Sequence, residues 1–157
     1  MLPIRKLVLA ALLLWPVAAH AESGVKVGVL KCRIEPSIGL IFIGREKLEC
    51  RFTPQDAGLP AGRYAGAITT IGLDLGFSAG GYMAWAVWAP VAGPLAGALA
   101  GHYGGATGEV GLGVGLGANV LVGGSGRTIA LQPFSVEGEV GVNLTVGISG
   151  MELRYVE

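Results

Sequence analysis

The sequence predicts an all-β protein, a single antiparallel β-sandwich or barrel of about eight to ten glycine-rich strands. Three observations favour this class. Glycine and aliphatic residues alternate within residues 104–126, with glycine at positions 111, 113, 115 and 117; this period of two is the side-chain period of a β-strand. A second alternation extends from Ser135 to Ser149. No segment after residue 21 shows the periodicity of an amphipathic helix.

Residues 1–21 are predicted to be a cleaved export signal. A short basic start precedes an apolar run from Leu7 to Val17, and Ala19-His20-Ala21 supplies a small-x-small cleavage pattern. The apolar run is shorter than the roughly 20 residues that a membrane-spanning helix needs. We therefore expect a periplasmic or secreted protein in which residues 22–157 form one β domain. A retained N-terminal anchor is the alternative.

The charge balance argues against a nucleic-acid partner. The chain has eleven basic and eleven acidic residues, and without Arg5 and Lys6 nine basic residues remain against the eleven acidic ones. A domain that binds nucleic acid would present a basic surface. The sequence predicts no cofactor and favours no oligomeric state.

Cys32 and Cys50 are the two cysteines of the chain, and in an exported domain they most simply form one disulfide. Disulfide-bonded Cα atoms lie within about 7 Å of each other, whereas the first and third strands of a simple meander lie roughly 9.6 Å apart. We therefore expect the two cysteine-bearing strands to be direct neighbours or to face each other across two layers. A metal site is not expected, because His102 is the only histidine after the signal.

The first strands of the domain are predicted from their apolar parity. The strand from Val25 to Ile34 changes parity between Val29 and Leu30, which indicates a β-bulge there. The segment from Ile38 to Ile43 is apolar on both parities and is predicted to be a strand covered on both faces. The next strand alternates, with an inward row of Leu48, Cys50 and Phe52 and an outward row of Lys47, Glu49 and Arg51.

A turn-rich connection over residues 53–62 separates these strands from one at residues 63–71 and a bend at residues 72–76. An aromatic strand follows, with Tyr82 and Trp88 on one face and Met83, Trp85 and Val87 on the other. Residues 79–101 carry no charge and contain glycine at the four-residue spacing of packed membrane helices. Pro90 and Pro94 oppose a long helix. We favour a strand followed by a buried irregular connection. A short helix at residues 94–100 and a membrane span are the alternatives.

The last third of the chain is predicted to contain a hairpin and two further strands. Gly123 to Gly126 form the turn between strands at residues 118–122 and 127–131. The alternation from Ser135 to Ser149 is too long for one strand, so we expect a bend near residues 138–141. Parity changes again at Gly150, and the final inward row consists of Met151, Leu153 and Tyr155.

No catalytic constellation is visible, so the protein is predicted to be non-enzymatic. A hydrolytic triad would have to use His102 as its imidazole, and the glycine run lacks the spacing of a phosphate-binding loop. The aromatic residues Tyr82, Trp85, Trp88 and Tyr103 are predicted to pack on the bare glycine faces of a neighbouring strand. Alternatively, they line a ligand pocket between that glycine strand and Trp85 or Trp88.

Several segments spread over residues 28–133 form a joint pattern: Gly28–Cys32, Glu49–Phe52, Gly72–Gly76, Trp85–Pro90, Gly117–Ser125 and Leu131–Pro133. Together they resemble the uncharacterised bacterial exported-protein family called domain of unknown function 992. The resemblance implies a small exported protein with paired cysteines and no known activity. A weaker resemblance, to the lipid-binding SYLF domain, rests on Leu116-Gly117-Ala118 followed by Gly126-Arg127.

Three functional hypotheses follow from the sequence. The favoured one is a non-enzymatic periplasmic or secreted domain with a binding or structural role in the cell envelope, its ligand being a lipid, a small apolar molecule or another envelope component. The second is an outer-membrane β-barrel, whose strands also alternate. The third is an enzyme of unrecognised type.

Overall fold

The computed structural model describes residues 24–38, 43–71, 77–78, 80–94, 96–105, 120–138 and 148–157. In these segments the strands are β1 (Val25–Ile34), β2 (Ser37–Ile38), β3 (Ile43–Pro54), β4 (Gly62–Ile71), β5 (Phe77–Ser78), β6 (Gly81–Ala89), β7 (Gly101–Gly105), β8 (Leu121–Gly123), β9 (Ile129–Gly138) and β10 (Ile148–Tyr155). A short 3-10 helix, Ser125–Arg127, connects β8 to β9.

Eight of these strands close into an antiparallel barrel. Around the barrel the order is β1, β3, β4, β10, β7, β8, β9 and β6, and β6 pairs with β1 to complete the circle. Strands β2 and β5 form a separate two-stranded ladder. The prediction of an all-β antiparallel sandwich or barrel is confirmed, and the architecture is the barrel.

The barrel interior is filled by the inward-facing side chains of its strands. An eight-stranded barrel encloses a space about wide enough for side chains alone. Trp85 is fully buried, and the same core contains Leu30, Leu48, Ile68, Leu131 and Leu153. Since burial of one such side chain contributes about 1.5–3 kcal/mol, this apolar interior is the main source of stability.

The cysteine-bearing strands are direct neighbours, which is one of the two predicted arrangements. β1 pairs with β3 in a register that places Cys32 opposite Cys50, and the two form a disulfide with a Cα–Cα distance of 4.0 Å. β2 pairs with β5 and does not separate β1 from β3. The rest of the strand predicted from Ile38 to Ile43 falls on residues 39–42, outside the described ranges.

The bulge in β1 lies closer to the N-terminus than predicted. The β1–β6 register shifts between Lys26 and Gly28, not between Val29 and Leu30. Gly28 occupies an inward position where a Cβ atom would overlap the backbone of Thr53. Val29 therefore lies on the outward parity of β1. The aliphatic residues indicated the wrong position for the bulge, because the inward position at residue 28 is a glycine and has no apolar side chain.

The aromatic strand and the connection after it agree only in part with the predictions. In β6, Met83, Trp85 and Val87 are buried and Tyr82 is 59% exposed, as the alternation predicted. In the connection of residues 90–100, Leu99 is buried but Val91 is 67% exposed, so the connection is not buried throughout. The predicted alternative of a short helix at residues 94–100 is wrong, since residues 96–99 form a turn. The described residues contain no helix long and apolar enough to cross a membrane.

The hairpin at Gly123–Gly126 is confirmed by the pairing of β8 with β9. The parity change near Gly150 is also confirmed, because the β10–β4 register shifts between Ile148 and Gly150. In the last inward row Met151 and Leu153 are buried, whereas Tyr155 is 39% exposed at the barrel end. The predicted glycine strand, the bend at residues 72–76 and most of the bend at 138–141 lie outside the described residues.

Candidate functional site

The outer wall of β1, β3 and β4 carries a row of three basic side chains. Lys31 lies directly opposite Arg51, and Arg51 lies opposite Arg63. All three side chains are exposed. Within the described residues none of them forms a side-chain hydrogen bond or ion pair. Like charges directly opposite each other destabilise a strand pair, so this row is a candidate site for an anion.

A second row lies one outward position further along these strands. Arg33 of β1 is opposite Tyr82 of β6 on one side and Glu49 of β3 on the other. Across the sheet, the row continues from Glu49 to Ala65 of β4 and then to Arg154 of β10. The second row thus adds two cations, one carboxylate and an exposed aromatic ring to the first row.

A groove of about 520 Å³ lies over the two rows. We call it the basic groove, and define it by Lys31, Arg33, Glu49, Arg51, Arg63 and Tyr82. Its volume falls in the range of about 300–1,000 Å³ that is common for ligand sites. The basic groove therefore has the size and the charge of a site for a small anionic ligand.

The disulfide fixes the geometry of the basic groove. Because Cys32 is opposite Cys50, antiparallel pairing places residue 31 opposite residue 51 and residue 33 opposite residue 49. The disulfide is buried on the inward side, and the charged side chains project outward from the positions beside it. A covalent link thus holds the repelling side chains of Lys31 and Arg51 on neighbouring strands.

Basic residues are concentrated on one side of the barrel. Of the nine basic residues after position 21, eight lie at exposed positions of β1, β3, β4 and β10: Lys26 near the start of β1, and Lys31, Arg33, Arg45, Lys47, Arg51, Arg63 and Arg154. On the same strands the outward carboxylates are Glu49 and Glu152, because Glu46 is buried. The near-neutral total charge conceals this strongly basic wall.

A second groove, of about 580 Å³, lies along β4. We call it the β4 groove. Its floor is Ala65, Gly66 and Ala67, and its walls include Arg45, Lys47 and Glu49 of β3 and Glu152 and Arg154 of β10. A Cβ atom at Gly66 would overlap the carbonyl group of Glu152, so glycine allows β4 and β10 to approach closely. Arg45 donates to Glu152 across the groove, with an Nη2–Oε2 distance of 3.2 Å.

The four aromatic residues predicted to line a ligand pocket divide between the two faces of the sheet. Trp85 and Tyr103 are buried inside the barrel. Tyr82 projects from the outer wall beside the basic groove, and Trp88 packs against a second buried cluster of Val120, Val122 and Ala130. The four side chains therefore do not line one common pocket. A gap beside the glycine strand stays a prediction, because residues 106–119 lie outside the described part.

Two buried tyrosines attach the connection of residues 90–100 to the barrel. The Tyr103 hydroxyl donates to the carbonyl oxygen of Leu99 at 2.7 Å, and burial raises the pKa of Tyr103 well above its usual range. Burial also raises the pKa of Tyr64, although hydrogen bonds to the backbone of Leu99 and Gly97 oppose this rise. These polar contacts hold Leu99 at one end of the core.

His102 is exposed on β7, opposite Glu152 of β10. Among the described residues no three His, Cys, Asp or Glu side chains lie together in a way that could hold a metal ion. The groups available for chemistry on the basic wall are therefore cations, a few carboxylates and the ring of Tyr82.

Sequence reasoning missed the basic groove, although a signal was present. The outward parity of Lys31, Arg33 and Arg51 was visible in the alternation, and the pairing of Cys32 with Cys50 fixes which of these residues are opposite each other. The position of Arg63 depends on the β3–β4 register, which no sequence motif determined.

Comparison of the chain with curated proteins and with solved structures finds no match in either set. A family model described as a protein of unknown function (DUF992) matches residues 11–154. This match includes both cysteines and all residues of the basic groove. The chain therefore belongs to the DUF992 family, as its sequence motifs predicted.

Proposed function

We propose that the protein is an exported, non-catalytic binding domain whose basic groove holds an anionic component of the cell envelope. The observation that carries this proposal is the row of Lys31, Arg51 and Arg63 in direct cross-strand register. Such a row costs stability in the free protein. A bound carboxylate or phosphate group offsets that cost, because arginine binds both groups through paired hydrogen bonds.

The composition of the groove supports binding over catalysis. It presents four cations and one exposed aromatic ring, whereas Glu49 is its one carboxylate. General acid–base chemistry requires a proton donor and a proton acceptor positioned on the same substrate. The groups of the basic groove suit recognition of charge and of a flat or apolar ligand surface.

The disulfide supports an extracytoplasmic location. Disulfides persist in oxidising compartments and are rare in the cytosol, and Cys32 and Cys50 are paired. Together with the predicted export signal at residues 1–21, this pairing favours a periplasmic or secreted protein.

The outward charges weigh against the alternative of an outer-membrane barrel. Transmembrane barrels present an apolar band to lipid, and an outward Lys or Arg near the bilayer midplane costs about 2–4 kcal/mol. Here the outer wall carries Lys31, Arg33 and Arg51, while the interior is apolar. For the alternative of a lipid or small apolar ligand, the filled interior favours a site on the outer wall.

The test compares two double variants in calorimetric titrations with inorganic phosphate and with galacturonate. In the exported protein, the double variant Arg51→Gln with Arg63→Gln is expected to bind each anion at least tenfold more weakly than the wild type does. Lys26→Gln with Arg127→Gln removes the same charge from exposed positions outside the basic groove and is expected to leave binding unchanged. Equal binding by the two variants, or no binding by the wild-type protein, would contradict the proposal.

A further inference from the structure

We infer that the ligand is an extended acidic oligosaccharide that continues from the basic groove into the β4 groove. This inference rests on the proposed function and adds the length and chemical class of the ligand. It starts from the observation that the two grooves adjoin each other, since Glu49 and Ala65 line both of them.

The path along β4 has the shape of a channel. Its outward positions are Arg63, Ala65, Ala67 and Thr69, so small side chains lie between the longer ones of β3 and β10. From Arg63 to Thr69 the path is six residue steps long, roughly 20 Å at about 3.3 Å per residue. A single phosphate or carboxylate would occupy one end of such a channel, whereas a chain of several units would fill it.

Charges of both signs lie along the channel. Cations lie at both ends, with Arg51 and Arg63 at one end and Arg45 at the other. Between them each carboxylate lies across β4 from a cation: Glu49 and Arg154 flank Ala65, and Glu152 and Lys47 flank Ala67. A nucleic acid or polyphosphate has a negative charge on every unit and would place some of these charges beside the carboxylates. Like-charge contacts of that kind oppose binding.

An acidic oligosaccharide matches this mixture of cations and carboxylates. Its widely spaced carboxylates or phosphates pair with the arginines, and its hydroxyl groups donate hydrogen bonds to the carboxylates, which only accept. The exposed ring of Tyr82 at the end of the basic groove offers an apolar face to a sugar ring. The site thus provides partners for the charged, polar and apolar parts of such a ligand.

The ion pair between Arg45 and Glu152 marks the far end of the path. The side chains are 64% and 36% exposed, and ion pairs at exposed positions are weak. A ligand carboxylate can therefore take the place of Glu152 as the partner of Arg45. The freed Glu152 then accepts hydrogen bonds from ligand hydroxyl groups.

The first experiment compares ligands of different length and class in calorimetric titrations of the wild-type protein. The probes are tetragalacturonate, galacturonate, neutral maltotetraose and a short linear polyphosphate. We expect tetragalacturonate to bind at least tenfold more tightly than galacturonate or maltotetraose, and more tightly than the polyphosphate. If galacturonate binds as tightly as its tetramer, or the polyphosphate binds best, the inference is wrong while the basic groove remains an anion site. If none of the anions binds, the proposed function fails as well.

The second experiment tests the path of the ligand with variants outside the basic row. Arg45→Gln removes the distal cation, and Ala67→Leu fills the floor of the β4 groove at a position that does not line the basic groove. Each is expected to weaken tetragalacturonate binding at least fivefold and to leave inorganic phosphate binding unchanged. Ala96→Leu, at an exposed alanine of the connection of residues 90–100, is the matched control, and thermal unfolding checks that all variants fold. Unchanged tetramer binding in the folded variants would overturn the inference.

Discussion

Lys31 and Arg51 lie directly opposite each other on neighbouring strands, one residue beyond the disulfide between Cys32 and Cys50. A repulsive pair is thus held in place by a covalent bond beside it. Arg63 continues the row on the next strand. An arrangement that opposes folding locally is typical of a binding site, where selection for function outweighs a small loss of stability.

Arg51→Glu is expected to stabilise the protein and abolish anion binding. The substitution converts two like-charge pairs, with Lys31 and Arg63, into opposite-charge pairs, and each such pair contributes roughly 0.2–1 kcal/mol. Urea denaturation should show a higher free energy of unfolding, and phosphate titration should show no binding. Arg127→Glu, at an exposed position outside the wall, is the control. A lower free energy of unfolding for Arg51→Glu would contradict the claim that repulsion among Lys31, Arg51 and Arg63 destabilises the protein.

Replacement of both cysteines by serine is expected to lower the free energy of unfolding by about 3 kcal/mol. The disulfide links residues 18 positions apart, and a loop of that size gives about this value on the chain-entropy model. Guanidinium denaturation of the oxidised wild-type protein and of the double variant measures the difference. Reduced wild-type protein should unfold like the variant; if it unfolds like the oxidised protein, the estimate is wrong.

Gly66→Ala is expected to destabilise the barrel by about 1–3 kcal/mol, the usual cost of overpacking. An added Cβ would overlap the carbonyl group of Glu152 on β10. Gly105→Ala is the matched control, because nothing lies within 4 Å of a Cβ built there. Thermal unfolding should show a lower Tm for Gly66→Ala and no loss for Gly105→Ala. Equal Tm values would indicate that β4 and β10 can separate without cost.

Stability is expected to fall as the pH rises above about 10, the usual pKa of tyrosine. Burial raises the pKa of Tyr103 and of Tyr64. The folded state therefore retains protons that the unfolded state has lost, so this contribution is complete below about pH 10 and is lost above it. Denaturation between pH 8 and pH 11 measures the slope. Tyr103→Phe should reduce the slope, at the cost of the hydrogen bond to Leu99.

Cells that express the full chain should contain a shortened protein that starts at Glu22 or close to it. The reason is the apolar run and the small-x-small pattern that precede this residue. Intact-mass measurement of the periplasmic and medium fractions checks the prediction. Substitution of Ala19 and Ala21 by Arg should block cleavage. An uncut chain confined to the cytosol would contradict both export and the envelope role.

Properties of single strands were predicted well from the sequence. The buried positions of Leu48, Cys50 and Phe52 follow from the alternation within β3, and those of Met83 and Trp85 follow from β6. These predictions succeed because the side-chain period of a strand is local. The bulge near Gly28 was misplaced, since a glycine that faces the core has no side chain to reveal its parity.

The pairing of strands that are distant in the sequence could be predicted only where a covalent bond links them. The pairing of Cys32 with Cys50 predicts that their strands are neighbours or face each other across two layers, and β1 and β3 are neighbours. Nothing comparable predicts that β4 pairs with β10 or that β6 pairs with β9. The candidate site depends on the register across such pairs, because Arg63 joins the basic row through the β3–β4 ladder. The residue types therefore predict which charges the site contains, but they do not predict where these charges lie relative to one another.

The concentration of basic residues on β1, β3, β4 and β10 also gives the barrel an electric dipole. The potential of such an uneven charge distribution extends beyond contact distance and turns the molecule as it diffuses toward a negatively charged partner. Encounter is then faster than random collision would allow, and this gain is screened over about 10 Å at an ionic strength of 0.1 M. The association rate constant should therefore decrease steeply with salt, while the dissociation rate constant, set by short-range contacts, should change less.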